Sequence, residues 1–159
     1  MGKDRDRCGE VGSGWRRQRM LRGEAQYALD DKGRVVIPPK FRAVMGDRII
    51  VTRWTDPCLF AFSAPEWQSL EEKLRTLPLG QHEARRYVLS AAEDCELDRQ
   101  GRIFLAPHLR EHAGITRSVT IIGVGGHLEL WSTPAWRKRL QKVRKAPEEL
   151  AQQLQALTL

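Results

Sequence analysis

Residues 29–42 read LDDKGRVVIPPKFR and residues 97–110 read LDRQGRIFLAPHLR, so the chain carries one unit twice. The copies align without a gap at an offset of 68, and Leu29/Leu97, Asp30/Asp98, Gly33/Gly101, Arg34/Arg102, Pro39/Pro107 and Arg42/Arg110 are identical. Six identities in fourteen positions, where chance gives about one, mark an internal repeat. Val35/Ile103, Val36/Phe104, Ile37/Leu105 and Phe41/Leu109 stay apolar. After a one-residue slip the match resumes, with LFAFSAPEW (59–67) against LELWSTPAW (128–136). The length is therefore two like units plus their closing helices.

Each copy predicts the same order of elements. Alternation of Ala25, Tyr27 and Leu29, and of Cys95 and Leu97, predicts a half-buried strand. A polar turn follows, DDKG or DRQG, in which Gly33 or Gly101 can take positive φ. A short apolar strand, VVI or IFL, comes next, so the block reads as a β-hairpin. Pro39 and Pro107 suit the first turn of a short helix that Gly46 and Gly114 end. Two further strands are predicted, RIIVTR then CLFAF, and SVTIIGV then HLELW, the second pair joined at Gly125-Gly126. Pro65 and Pro134 open the closing helices. The first places Trp67, Leu70, Leu74 and Leu77 on one stripe, with Glu71 and Arg75 as an i,i+4 pair. The second carries Trp136, Leu140 and Val143 on one face, and Arg137, Lys138, Arg139, Lys142, Arg144 and Lys145 over the rest. Beyond Pro147, Leu150, Leu154 and Leu157 predict a last amphipathic segment. The expected organisation is a disordered leader (1–19), repeat 1 (20–80), a linking helix (81–91), repeat 2 (92–136) and a basic C-terminal helical segment (137–159).

Composition sets outer limits. The 159 residues include no apolar run long enough to span a membrane and no signal-peptide core. Cys8, Cys58 and Cys95 are far apart with no CxxC, which argues against a disulfide framework or zinc knot and fits a reducing cytoplasm. The net charge of +7 permits a polyanionic partner without demonstrating one. Its distribution is uneven: residues 91–136 hold four basic and six acidic side chains, residues 137–159 six basic and two acidic.

The feature repeated with its charges intact is Asp-x-x-x-Arg, Asp30 to Arg34 and Asp98 to Arg102. In a turn the Asp can accept backbone N–H groups, and the Arg begins the next strand. One reading is a salt-bridged, well-capped turn. The other is a tip that enters a DNA groove, the Arg donating to guanine or phosphate. Lys32 and Arg99 in the turns, with Lys40, Arg42 and Arg110 as supporting phosphate contacts, would enlarge the basic rim.

MLRGEAQYALDDKGRVVIPPKFR, CELDRQGRIFLAPHLREHAGI and VTIIGVGGHLELWSTPAW resemble the bacterial MraZ family over roughly residues 20–145. That resemblance implies an α+β, β-rich fold of two tandem swapped-hairpin half-domains of the AbrB and SpoVT type, forming an intramolecular pseudo-dimeric barrel with flanking helices. It implies a cytoplasmic, nucleoid-associated transcriptional regulator, a non-enzyme without cofactor. Such a regulator binds short direct repeats of double-stranded DNA upstream of the division and cell-wall gene cluster. It usually represses that cluster together with its own gene. A ring-like homo-oligomer with no membrane or small-molecule partner is implied as well. The family's DNA-contacting motif falls on Asp30/Arg34 and Asp98/Arg102. Family members typically begin at the equivalent of Met20, so residues 1–19 are read as a misassigned start in preference to a lineage-specific basic arm. Ala106 and His108 replace Pro38 and Lys40, which weakens the expected phosphate contact of copy two.

Other readings have less behind them. His108, Glu111 and His112 form H-x-x-E-H, a zinc-peptidase motif, on a predicted helix of barely two turns with no equivalent in copy one. Gly123, Gly125 and Gly126 lie between two strands, which suits a hairpin and not a phosphate cradle. Cys58, Cys95, Trp67 and Trp136 are expected core residues, and the basic face of 137–145 a solvated helix face. A scaffold oligomer without specific DNA binding is the alternative from another functional class.

Overall fold

The computed structural model describes residues 20–157, so the expected leader over 1–19 lies outside the described residues. The first copy runs β1 (Leu21–Ala28), β2 (Arg34–Val36), α1 (Pro39–Met45), β3 (Arg48–Arg53), β4 (Leu59–Ser63) and α2 (Ala64–Arg75). A single 3-10 turn (Leu79–Gln81) and α3 (His82–Leu89) follow. The second copy repeats the order as β5 (Glu93–Glu96), β6 (Arg102–Phe104), α4 (Pro107–Ala113), β7 (Ser118–Gly125), β8 (Leu128–Ser132) and α5 (Thr133–Lys145), then α6 (Pro147–Gln155). Prolines open α1, α2, α4 and α5 within their first two positions, where a missing N–H costs no helical hydrogen bond. Gly114 closes α4 in the left-handed conformation.

The elements match the sequence pattern, but their partners correct the local hairpin. Around each turn the flanking segments share one ladder-type bond, Asp30 N–H to Arg34 C=O at 2.9 Å and Asp98 N–H to Arg102 C=O at 2.9 Å. Beyond it the strands separate. β1 pairs antiparallel with β7, and β5 with β3. β2 pairs with β6 in a two-stranded ribbon in which Arg34 faces Phe104, Val35 faces Ile103 and Val36 faces Arg102. Each copy thus gives its first strand to the third strand of the other, the exchange expected of swapped hairpins. Period-two alternation tells which residues face inward but not which strand supplies the partner.

The large sheet has the order β1-β7-β8-β4-β3-β5. Exchanging the copies reverses that order onto itself, so an approximate two-fold axis passes between β8 and β4 and through the Val35–Ile103 pair. Among the described residues the hydrogen-bonded ladder does not close into a ring. The ribbon instead lies between the two edge strands, with β2 packed beside β1 and β6 beside β5.

Alternation along the central strands divides the core in two. Ile49, Val51, Leu59, Ala61, Val119, Ile121, Leu128 and Leu130 point to the face covered by the ribbon, α1 and α4. Ile50, Phe60, Phe62, Ile122 and Trp131 point to the opposite face, under α2, α3 and α5. Cys58 and Cys95 are free and buried, as expected, and burial pushes the Cys95 thiol up to about 11. Trp67 is buried, whereas Trp136 is only partly covered and donates its indole N–H to Glu24 at 2.9 Å. Glu71 accepts the Trp67 indole N–H at 2.8 Å in place of the expected pair with Arg75, because the ring fixes the donor beside it. Leu150, Leu154 and Leu157 form the predicted apolar stripe near the C-terminus, and it is uncovered. No helix among the described residues is long and apolar enough to cross a membrane.

Ile103 is fully buried at the centre of the exchange. Ile103→Ala is expected to cost about 2–5 kcal/mol of unfolding free energy through the cavity it leaves. Denaturant unfolding would measure this, with the exposed Leu79→Ala changing stability by less than about 0.5 kcal/mol as the control.

Candidate nucleic-acid interface

Each polar turn is folded by its own aspartate. Asp30 Oδ1 accepts the backbone N–H of Lys32 at 3.0 Å and of Arg34 at 2.8 Å, and Oδ2 accepts Arg34 Nε at 2.7 Å. Asp98 does the same in copy two, with Gln100 N–H at 2.9 Å, Arg102 N–H at 2.9 Å and Arg102 Nε at 2.8 Å. The chain can reverse so tightly because Gly33 and Gly101 take φ of 81° and 73°. The salt-bridged, well-capped turn is therefore present in both copies, and it is also a clamp on an arginine. Locking Nε fixes the guanidinium plane and leaves its outer Nη edge for a partner.

The antiparallel ribbon brings the two clamps side by side. Arg102 Nη1 lies 3.5 Å from Asp30 Oδ2, so Asp30 faces both arginines. Residues two apart share a face of a strand. Arg34 and Val36 with Arg102 and Phe104 thus form the outward face of the ribbon, while Val35 and Ile103 are fully buried beneath. Lys32 and Arg99 are exposed at the tips. Phe104, read from the repeat only as an apolar position matching Val36, is 51% exposed on this face. Its signal was its parity with Arg102: a strand that buries Ile103 must turn both neighbours outward.

The supporting cations fall in different places. Arg42 lies beneath the turn of the other copy: a Cβ added to Gly101 would come within 2.0 Å of its Nη1. Reciprocally, Arg110 lies against Gly33, its guanidinium carbon 3.2 Å from where a Cβ would stand, with Nε donating to Leu105 C=O at 3.0 Å. Each turn therefore rests on an arginine from the opposite repeat. Lys40 is turned away, toward Gly23 in β1 and 4.9 Å over the Phe41 ring. The basic residues of α5 are exposed on the side of the sheet away from the ribbon, and Arg139 pairs with Asp56 at 3.1 Å. The H-x-x-E-H histidines point to different carbonyls, His108 Nε2 to Ala91 at 3.2 Å and His112 Nε2 to Asp56 at 3.1 Å.

Electrostatics favours the ionised clamp. The Asp30 carboxyl is held below its ordinary value of 3.8, first by the Arg34 backbone N–H and then, against some desolvation, by the Arg34 side chain. The same causes, from Arg102, lower Asp98. A depressed carboxylate stabilises the fold above its unfolded value and loses that contribution as pH falls through the folded value. Carboxyl NMR titration is expected to place both midpoints below 3.8, with stability declining as pH drops through that range. The double variant Asp30→Asn, Asp98→Asn should flatten that part of the profile.

The packed turns make a second prediction. Gly114 has φ 61° in the left-handed conformation with open space around it, whereas Gly101 has φ 73° and Arg42 in the way. Gly114→Ala should cost about 1–2 kcal/mol for its left-handed backbone, and Gly101→Ala measurably more, since Arg42 must also move. Paired denaturant titrations give the difference.

A family model described as "MraZ protein, putative antitoxin-like" matches the chain twice, over residues 20–89 and 88–157. A protein named Transcriptional regulator MraZ from Caldanaerobacter subterraneus subsp. tengcongensis is 44% identical over 138 residues, covering 85% of this chain and 96% of its own. One of the same name from Thermoanaerobacter pseudethanolicus is 43% identical over 143 residues, covering 88% of this chain and 100% of its own. Another from Natranaerobius thermophilus is 44% identical over 138 residues, covering 85% and 96% respectively.

Proposed function

Because the chain belongs to the MraZ family, we propose that it is a DNA-binding transcriptional regulator and that the paired clamps are its DNA-reading element. Its named relatives are transcriptional regulators and not enzymes, and this chain is read likewise. The observation that carries the reading is the convergence of two preset arginines, Arg34 and Arg102, on one outward ribbon with Lys32 and Arg99 at its tips. A two-stranded ribbon fits the major groove, and a guanidinium held by a carboxylate can donate two hydrogen bonds to guanine or engage a phosphate. Asp30 and Asp98 orient these groups, while Arg42 and Arg110 support the turns from below.

The finer reading follows the family resemblance. The operator consists of short direct repeats in a promoter, the outcome is repression of the division and cell-wall cluster with the gene's own transcription, and the protein works as a nucleoid-associated ring. One ribbon with so few cations binds weakly, since affinity grows with the number of phosphates neutralised. A ring repeats the ribbon at fixed spacing and gains avidity without new contact types. Rotation around a ring matches direct repeats, where a lone two-fold dimer favours palindromes. The uncovered Leu150, Leu154 and Leu157 stripe supplies apolar surface for contact between copies.

Changing both Arg34 and Arg102 to Ala is expected to abolish a gel shift on the gene's upstream region while leaving the oligomer's mass intact. Unchanged binding would refute the site. The wild-type affinity should fall steeply with salt, at a log–log slope of about −0.9 per phosphate contacted; a flat response favours a scaffold role.

A further inference from the structure

The ribbon is built on an approximate two-fold axis, yet its outward face is not symmetric. The central pair is Val35 and Ile103, and around it Arg34 is matched by Arg102, but Val36 is matched by Phe104. Phe104 is 51% exposed, directly across the ladder from Arg34, while Val36 is half-buried across from Arg102. The tips differ as well, Asp31-Lys32 in one copy and Arg99-Gln100 in the other. Arg102 reaches Asp30 at 3.5 Å, so the two clamps also differ in their bonding. A large aromatic ring thus stands half exposed beside the clamped arginines, on one side of the axis.

We propose that Phe104 gives the DNA-reading face a direction by packing on the methyl group of a thymine on one side of the site. This inference rests on the DNA-binding reading above and adds a specificity residue to it. The thymine C5 methyl is the apolar feature of the major groove, and an aromatic side chain is among the groups that contact it. Phe104 is positioned for it: the same cross-strand pair that presents Arg34 to a polar base edge presents the ring beside it. Val36 is too short and too covered to offer the same contact on the other side. A symmetric ribbon would read both halves of its site alike and favour a palindrome. With Phe104 on one side only, each protomer reads one strand direction, which is what successive direct repeats require.

The test uses the full-length chain and duplexes it selects from a randomised pool. Each thymine in the selected duplex is then replaced by deoxyuridine, which lacks the methyl group. For the wild type, one position is expected to lose about fourfold in affinity, the factor for one buried methyl. Phe104→Val should bind the thymine and deoxyuridine duplexes equally, with an unchanged melting temperature because the ring is exposed. The exchange Val36→Phe, Phe104→Val should move the sensitive position across the centre of the site. Equal thymine-to-deoxyuridine ratios for wild type and Phe104→Val would overturn the proposal. So would a change in oligomer mass in Phe104→Val with the ratio unaltered, which assigns the ring to a contact between copies. Failure of the wild type to enrich any duplex would overturn it through the underlying DNA-binding reading, a result distinct from enrichment without methyl sensitivity.

Discussion

Val35 and Ile103 face each other across a ladder three pairs long, and both are fully buried. Every larger feature of the molecule is arranged around that contact. It joins the two copies at the residues that follow their turns, so β1 must leave its own copy for β7, and β5 must leave for β3. Neither repeat can then bury its apolar strands alone. The whole ladder of each edge strand and one side of the ribbon come from the other repeat, across sequence separations from 42 residues (Val51–Glu93) to 104 (Leu21–Gly125). Contacts of such long range carry a loop-closure cost before they return any burial, which makes folding slow and all-or-none across both repeats.

The same exchange places the charges. If each hairpin closed on itself, the two turns would belong to separate units with no fixed distance between them. Pairing β2 with β6 instead sets Arg34 and Arg102 on one face, with Asp30 between them. Arg42 and Arg110 then pass beneath the opposite turns, Arg42 into the space a Cβ on Gly101 would take and Arg110 close against Gly33. A lone surface ion pair contributes little to stability. In the proposed DNA-reading role the value of these pairs lies in orientation: side-chain entropy that a free arginine would lose on binding has already been lost on folding.

Much of this was legible in the residues. The doubled LD-x-x-GR block gave the repeat, the turn glycines, the helix-opening prolines and the Asp–Arg clamps, because these are local devices governed by backbone geometry. Strand pairing was not local. VVI and IFL look the same whether they return along their own strand or cross to the other copy, and only the family resemblance implied the exchange. Phe104 was hidden for a related reason. Aligned with Val36 it reads only as one more apolar position, and its outward direction emerges from the parity that buries Ile103. Arg42 and Arg110 read as rim cations because sequence shows their charge but not the glycine above each of them.

The net charge of +7 turns out to bear little on the site. The basic residues of α5 lie on the far side of the sheet, and the copy-two segment 91–136 is acidic, with six acidic and four basic side chains. At the ribbon itself the clamp carboxylates offset the clamp arginines, leaving Lys32 and Arg99 as the tip cations against Asp31, with Arg42 and Arg110 beneath the turns. In the proposed DNA-reading role these few cations supply the salt-dependent attraction to phosphate, and the ordered arginines confine tight binding to sites whose geometry they fit.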